Sequence, residues 1–205
     1  MKIRIHQLIA AAFLTAPTFV SADVVDLVAN GSFEKNIQAD GTWGIYPSLT
    51  GWSGSPDIEL RNNVAGTAYD GVNFVELDAY FNSSMSQLLT GDPGLYTLSF
   101  WYSARPGTGS TNDLTFTFDG SAPITLLTGV SGSSAHDWQH YTTLVNFDGN
   151  GLLTFSATGI NDSLGGSLDM VSFTSAIPEP ETYAMLLAGL GLLGFSSRTQ
   201  KNKSV

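Results

Sequence analysis

Between Asp23 and Ala176 apolar and polar residues alternate with a period of two, and no helical period of any length interrupts them. Tyr96, Leu98, Phe100 and Tyr102 alternate with Thr97, Ser99 and Trp101, and Leu114, Phe116 and Phe118 alternate with Thr115 and Thr117. Runs of this kind, rich in aromatic and β-branched side chains, predict strands with one buried face. The same pattern predicts strands over Asp57–Leu60, Phe74–Leu77, Met85–Leu89, Ile124–Leu127, Tyr141–Phe147, Leu152–Ala157 and Leu168–Phe173. Gly, Asn, Asp and Ser cut the runs apart, and Asp119 with Gly120, and Asp148 through Gly151, stand where tight hairpin turns need positive φ. The expected architecture is all-β: an antiparallel β-sandwich of the jelly-roll kind.

The two ends of the chain depart from this pattern. Lys2 and Arg4 precede an apolar run from Leu8 to Val20, and Val20, Ser21 and Ala22 form a small-residue cleavage site, so residues 1–22 read as a secretory signal peptide with its helix. At the other end Ile177, Pro178, Glu179, Pro180 and Glu181 lead into an uncharged run from Thr182 to Ser197, followed by Arg198, Lys201 and Lys203. The prolines keep the acidic turn extended and exposed. The apolar run partitions into lipid as a transmembrane helix, and the basic residues hold its far end in the cytoplasm. Sixteen uncharged residues fall slightly short of the roughly 20 a bilayer core asks for, which suits a thin bilayer or a transient stay. The expected division is a signal peptide at 1–22, a β-sandwich at 23–176 and a tail at 177–205.

Charge narrows the partners. From Asp23 to Asp169 sixteen acidic side chains face only three basic ones, Lys35, Arg61 and Arg105. That balance repels phosphate backbones, so nucleic acid is excluded as a partner, and it suits divalent cations and neutral sugars. The chain has no cysteine, so its stability outside the cell must come from the sheet core and any bound metal.

The tail, with Pro178, Glu179 and Pro180, then Tyr183 to Gly191, then Arg198, resembles a PEP-CTERM sorting signal. That resemblance implies export by a Gram-negative bacterium that makes extracellular polysaccharide. It also implies inner-membrane anchoring through the tail, processing by an exosortase, and a final place at the cell surface or in the biofilm matrix. One Arg and two spaced Lys replace the tighter basic cluster of that class. A second likeness lies in the body: Asn30, Gly31, Ser32, Phe33 and Glu34 open it, Gly51 and Trp52 follow, and Leu168 to Ser172 close it. These segments are similar to the opening and closing strands of galactose-binding-like carbohydrate-binding modules. In such sandwiches those strands lie side by side and often hold a structural Ca²⁺, whose ligands here would be Glu34 and Asp169. A hydrogen-bonding role at strand ends is the alternative for both residues.

Sugar binding needs flat aromatic faces beside a few directional polar groups. Trp43 and Tyr46, in a glycine-broken loop, and Tyr80, in another, are the expected contacts, with Arg105 either bonding a sugar or capping its own loop. Trp52, Trp101 and Trp138 lie in or beside strand patterns and are expected in the core. Signs of an enzyme are thin. His136 and His140 have no cysteine to complete a metal site, there is no Gly-x-Ser-x-Gly elbow, and Glu59, Glu76 and Asp78 provide only loosely spaced carboxylates for a glycosidase. The expectation is a non-catalytic, lectin-like surface protein, with a structural matrix protein acting by self-association as the alternative.

Overall fold

The computed structural model describes residues 24–127, 129–176 and 187, 189 and 190. The signal peptide at 1–22, the tail residues Pro178, Glu179, Pro180 and Arg198, and nearly all of the 182–197 segment lie outside the described residues. Among the described residues no helix is long and apolar enough to cross a membrane.

Among the described residues ten strands follow one another: β1 (Thr42–Leu49), β2 (Trp52–Asn62), β3 (Asn73–Glu76), β4 (Ser84–Thr90), β5 (Gly94–Ser103), β6 (Leu114–Phe118), β7 (Ile124–Leu127), β8 (Gln139–Phe147), β9 (Asn150–Ala157) and β10 (Ser167–Ser175). Every pairing is antiparallel, along the path β7-β6-β9-β4-β2-β3-β10-β5-β8, with β1 paired to β2. β2 turns this path into a sandwich. Its first part, Ser53–Ser55, pairs with β4, and its last part, Glu59–Asn62, pairs with β3. One layer is therefore β7-β6-β9-β4 with the start of β2, and the other is the end of β2 with β3-β10-β5-β8.

Alternation fills the space between the layers. Leu98 and Phe100 on β5 and Leu153 and Phe155 on β9 are fully buried, and the rings of Phe100 and Phe155 meet edge to face at 4.9 Å across the gap. Phe116 on β6 joins them, 5.3 Å from Phe100. Fully burying an aromatic or leucine side chain stabilises the fold by about 1.5–3 kcal/mol.

The opening motif works residue by residue. The segment runs beside β10 through an Asp26 to Thr174 bridge, Leu27 N–H donating to Phe173 O and Val171 N–H donating to Gly31 O. A Cβ on Gly31 would lie 1.8 Å from Val171 O, so only glycine permits the approach. Asn30 accepts Lys35 N–H and donates to Asn36 Oδ1 and Thr50 O, Phe33 is fully buried, and Trp52 in the core donates Nε1–H to Asn30 O. The first and last segments thus lie side by side, although the opening one makes a single bridge rather than a strand.

Three expectations change. Residues 42–49 form a strand rather than a loop, because Gly44 and Pro47 hide its alternation from the eye. Asp119 and Gly120, both at positive φ, do close the β6–β7 hairpin, whereas Asp148 and Gly149 link β8 in one layer to β9 in the other. Trp52 is a core residue, but Trp101 and Trp138 are half-buried on the outer side of the second layer.

Candidate functional site

On the outer face of the second layer the side chains opposite the core should be solvated, yet several are buried and charged. Ile58 and Leu60 of β2 point inward, so Glu59 and Arg61 point outward, and cross-strand register continues that face. Ile45 stands opposite Glu59 and Glu59 opposite Glu76, while Trp43 stands opposite Arg61 and Arg61 opposite Phe74. Glu59, Arg61, Glu76 and Asp78 are all buried.

These groups form one ionic cluster. Arg61 lies against Glu59 Oε1 (2.5 Å) and Glu76 Oε2 (3.0 Å), and Arg105 Nη1 donates to Glu76 Oε1 (3.0 Å) and Ser163 O (2.7 Å). Gly165 N–H also donates to Glu76 Oε1, and Asp162 and Leu164 N–H donate to Asp78 Oδ2, so the cluster holds the 162–165 loop by its backbone. The Arg61 contacts are close but poorly aligned. Glu59 Oε1, Arg61 Nε, Glu76 Oε2 and Asp78 Oδ1 have no aligned hydrogen bond. Burial pushes Glu76 up to about 8 against the pull of Arg61 and Arg105, with Glu59 adding repulsion. Burial likewise raises Glu59, opposed by Arg61 and Arg105.

A cavity of ≈ 250 Å³ opens above this cluster, lined by Trp43, Tyr80, Glu59, Arg61, Arg105 and Ser163 among others. Trp43 is 49% exposed and Tyr80 is 65% exposed, so both aromatic side chains that line it are open to solvent. Of the four expected sugar contacts, Trp43, Tyr80 and Arg105 come together here. Tyr46 does not: one strand step changes faces, so it packs against the core with its hydroxyl donating to Gln38 Oε1. Arg105 both lines the cavity and braces its loop, which Asn112 fixes by accepting Arg105 N–H. The three carboxylates considered for glycoside hydrolysis are embedded in this cluster, and Glu76 has no exposed surface.

Beside the cavity lies an aromatic shelf. Tyr69 stacks on Trp101 at 3.8 Å, His140 lies nearly parallel to Trp101 at 4.7 Å, and Trp138 meets Tyr69 edge-on. His136 is pinned between Thr67 O and Ser167 Oγ, and burial lowers its pKa. The two histidines therefore serve separate contacts.

Glu34 and Asp169 clasp one loop. Asp169 Oδ2 accepts the N–H groups of Tyr69 and Asp70, and its Oδ1 accepts that of Met170. Glu34 Oε1 accepts those of Val72 and Asn73. Asp169 has no exposed surface, and burial raises it to about 7 against those amide bonds. Calcium takes six to eight oxygens. Here three of the four carboxylate oxygens already hold five amide hydrogens, with which an ion would have to compete. Among the described residues no group of three or more His, Cys, Asp or Glu is arranged to hold a metal.

Sequence reasoning passed over Arg61 as a site residue. Its signal was available: Glu59 lies between the apolar Ile58 and Leu60, and an arginine two positions after it puts two opposite charges on one side of a strand whose other side is core.

Residues 176–201 match the PEP-CTERM protein-sorting motif, which marks the chain for export with a membrane-anchored sorting signal. Over 153 residues, 71% of the chain, the sequence is 28% identical to a multifunctional-autoprocessing repeats-in-toxin protein of Vibrio vulnificus, of whose length it spans 3%. Similar solved structures include the Stig cyclase Fisc from Fischerella sp. TAU, at TM-score 0.54 and 14% identity over 74% of this chain and 98% of that one. A family 61 carbohydrate-binding module, TmCBM61 with β-1,4-galactotriose, shows TM-score 0.45 and 20% identity over 73% and 97%. The CBM35 of Paenibacillus barcinonensis shows 0.41 and 20% over 66% and 100%. At 14% identity the likeness to Fisc is one of fold alone.

Proposed function

We propose that this is an exported, exosortase-processed, non-catalytic protein of the bacterial surface or biofilm matrix, and that it binds neutral extracellular polysaccharide in the Trp43–Tyr80–Arg105 cavity. The observation that carries this reading is the meeting of two solvent-open aromatic side chains with a floor of fixed charged groups in a cavity of ≈ 250 Å³. A pyranose ring offers an apolar C–H patch to Trp43 or Tyr80, and its neighbouring hydroxyls can pair with Arg105, which lines the same cavity. Paired arginines and carboxylates leave the floor close to neutral, which favours an uncharged sugar over an ionic one. The burial of Glu76 behind Arg61 and Arg105, away from the cavity's surface, supports binding over turnover. After sorting, the exosortase and the membrane are transient partners, and the polysaccharide is the lasting one.

Pull-down of the processed protein with exopolysaccharide from a producing bacterium tests the reading. Trp43→Ala and Tyr80→Ala should each weaken binding about tenfold, close to 1.4 kcal/mol, with unchanged melting temperature. Wild-type levels of binding in the double variant would refute the cavity as the site, and release of reducing sugar that Glu76→Gln abolishes would refute the non-catalytic assignment.

A further inference from the structure

Among the described residues the strand path leaves three free edges, on β1, β7 and β8. A free edge presents unpaired N–H and C=O groups, and proteins guard such edges with prolines, bulges, short strands or charge. β1 carries Pro47 and a break in register between Tyr46 and Ser48. β7 is four residues long and follows Pro123. β8 has no guard. It runs nine residues in unbroken register with β5, from Phe147 opposite Gly94 to Gln139 opposite Tyr102. It contains no Pro, Gly, Asp, Glu, Lys or Arg, and Leu144 on it is 62% exposed.

We propose that β8 is an interface for a second copy of this chain, paired antiparallel about a twofold axis at Thr143. Two arguments select that occupant. An antiparallel edge is complementary to its own rotated image, so a copy supplies a strand of matching length and hydrogen-bond pattern. With Thr143 on the axis, the faces also match: Tyr141 meets Val145 of the copy on the core side, and Thr142 meets Leu144 on the outer side, an aromatic to β-branched pair and a covered leucine. Charge points the same way. In a body with sixteen acids and three bases, β8 is an uncharged stretch on which two such bodies can approach, and it offers nothing for a basic or acidic partner to pair with. Asp137 and Asp148 flank its ends, so salt strengthens the association by screening them, the reverse of a charge-driven contact. This interface stands independently of the glycan reading, and it would present two cavities on one continuous sheet, which raises avidity for a repeating polymer.

The test uses the full-length exported protein, which has no cysteine of its own. Thr143→Cys should yield a disulfide-linked homodimer on a non-reducing gel. Adding Leu144→Lys should abolish it without lowering the melting temperature, and Thr154→Cys, in the middle of the other layer, should stay monomeric. Sedimentation of the cysteine-free protein should show mass rising with concentration, more so at high salt. The interface is overturned if Thr143→Cys remains monomeric, or if Thr142→Cys or Leu144→Cys, which face each other across the axis rather than themselves, links in its place. It is equally overturned if Thr154→Cys links as well, if the link joins a different protein, or if Leu144→Lys leaves the homodimer intact.

Discussion

The two sides of β2 are equally buried and opposite in chemistry. Ile58 and Leu60 face the space between the layers, while Glu59 and Arg61 face outward beside Ile45 and Trp43 of the neighbouring β1. The inner side is stabilised by apolar area and close packing, and each side chain there contributes on its own. Residues on the outer side depend on one another, because a buried charge is tolerated only beside its partners. A strand can therefore be part of a core on one face and a binding floor on the other.

The largest effect is expected from the inner side. Phe100→Ala, which empties the contact between β5 and β9, should cost about 3–5 kcal/mol in chemical denaturation. A loss below about 1 kcal/mol would mean that the layers are not locked there. On the outer side Arg61→Met should cost about 3 kcal/mol at pH 8, because Glu59 and Glu76 lose their shared cation. The contrast sharpens in a Glu59→Leu, Arg61→Met double variant, which leaves Glu76 with Arg105 and Gly165 and should regain much of that stability yet weaken glycan binding. Failure of the double variant to recover would show that Glu59 and Arg61 are not a compensated pair.

The pH dependence separates the two sides next. Glu76 rises to about 8 and Asp169 to about 7, so the folded state holds protons that the unfolded chain has released. Their contribution is complete below the ordinary carboxylate range and is lost as pH rises through 7 and 8. His136, lowered by burial, acts in the opposite sense below about 6.5. The melting temperature should fall by a few degrees, about 2–4 °C per kcal/mol, between pH 6.5 and 8.5, and Glu76→Gln should flatten that decline. An unchanged slope in Glu76→Gln would assign the titration elsewhere. The smallest effect expected is that of chelation. With five amides already on Glu34 and Asp169, EDTA should leave the melting temperature within about 1 °C, and a drop that calcium restores would show that an ion displaces them.

Nine of the ten described strands were legible from short runs rich in apolar, aromatic and β-branched residues, and at Leu114–Phe118 and Ile124–Leu127 the expected and observed bounds coincide. β1 was not, since Gly44 and Pro47 remove the apolar beat that marks a strand. That omission carried over to the site: two aromatics three residues apart look equivalent in a loop, whereas a strand sends Trp43 to the cavity and Tyr46 to the core side. Trp101 and Trp138 were misplaced for a related reason. Size and aromaticity argue for burial in any strand pattern, but only the face on which a residue falls says which burial it is.

Local rules acting on neighbouring residues were enough to determine, from the order of amino acids alone, an exported all-β body, its strand periodicity, its acidic character and the tail that the sorting motif matches. The fold of β2 from one layer into the other was decided only in three dimensions, and so were the meeting of Glu59, Arg61, Glu76 and Arg105 under Trp43 and Tyr80, and the sparing of β8 among the free edges. Those features depend on register between strands far apart in the chain, and a register that shifts by one residue turns every side chain to the opposite face.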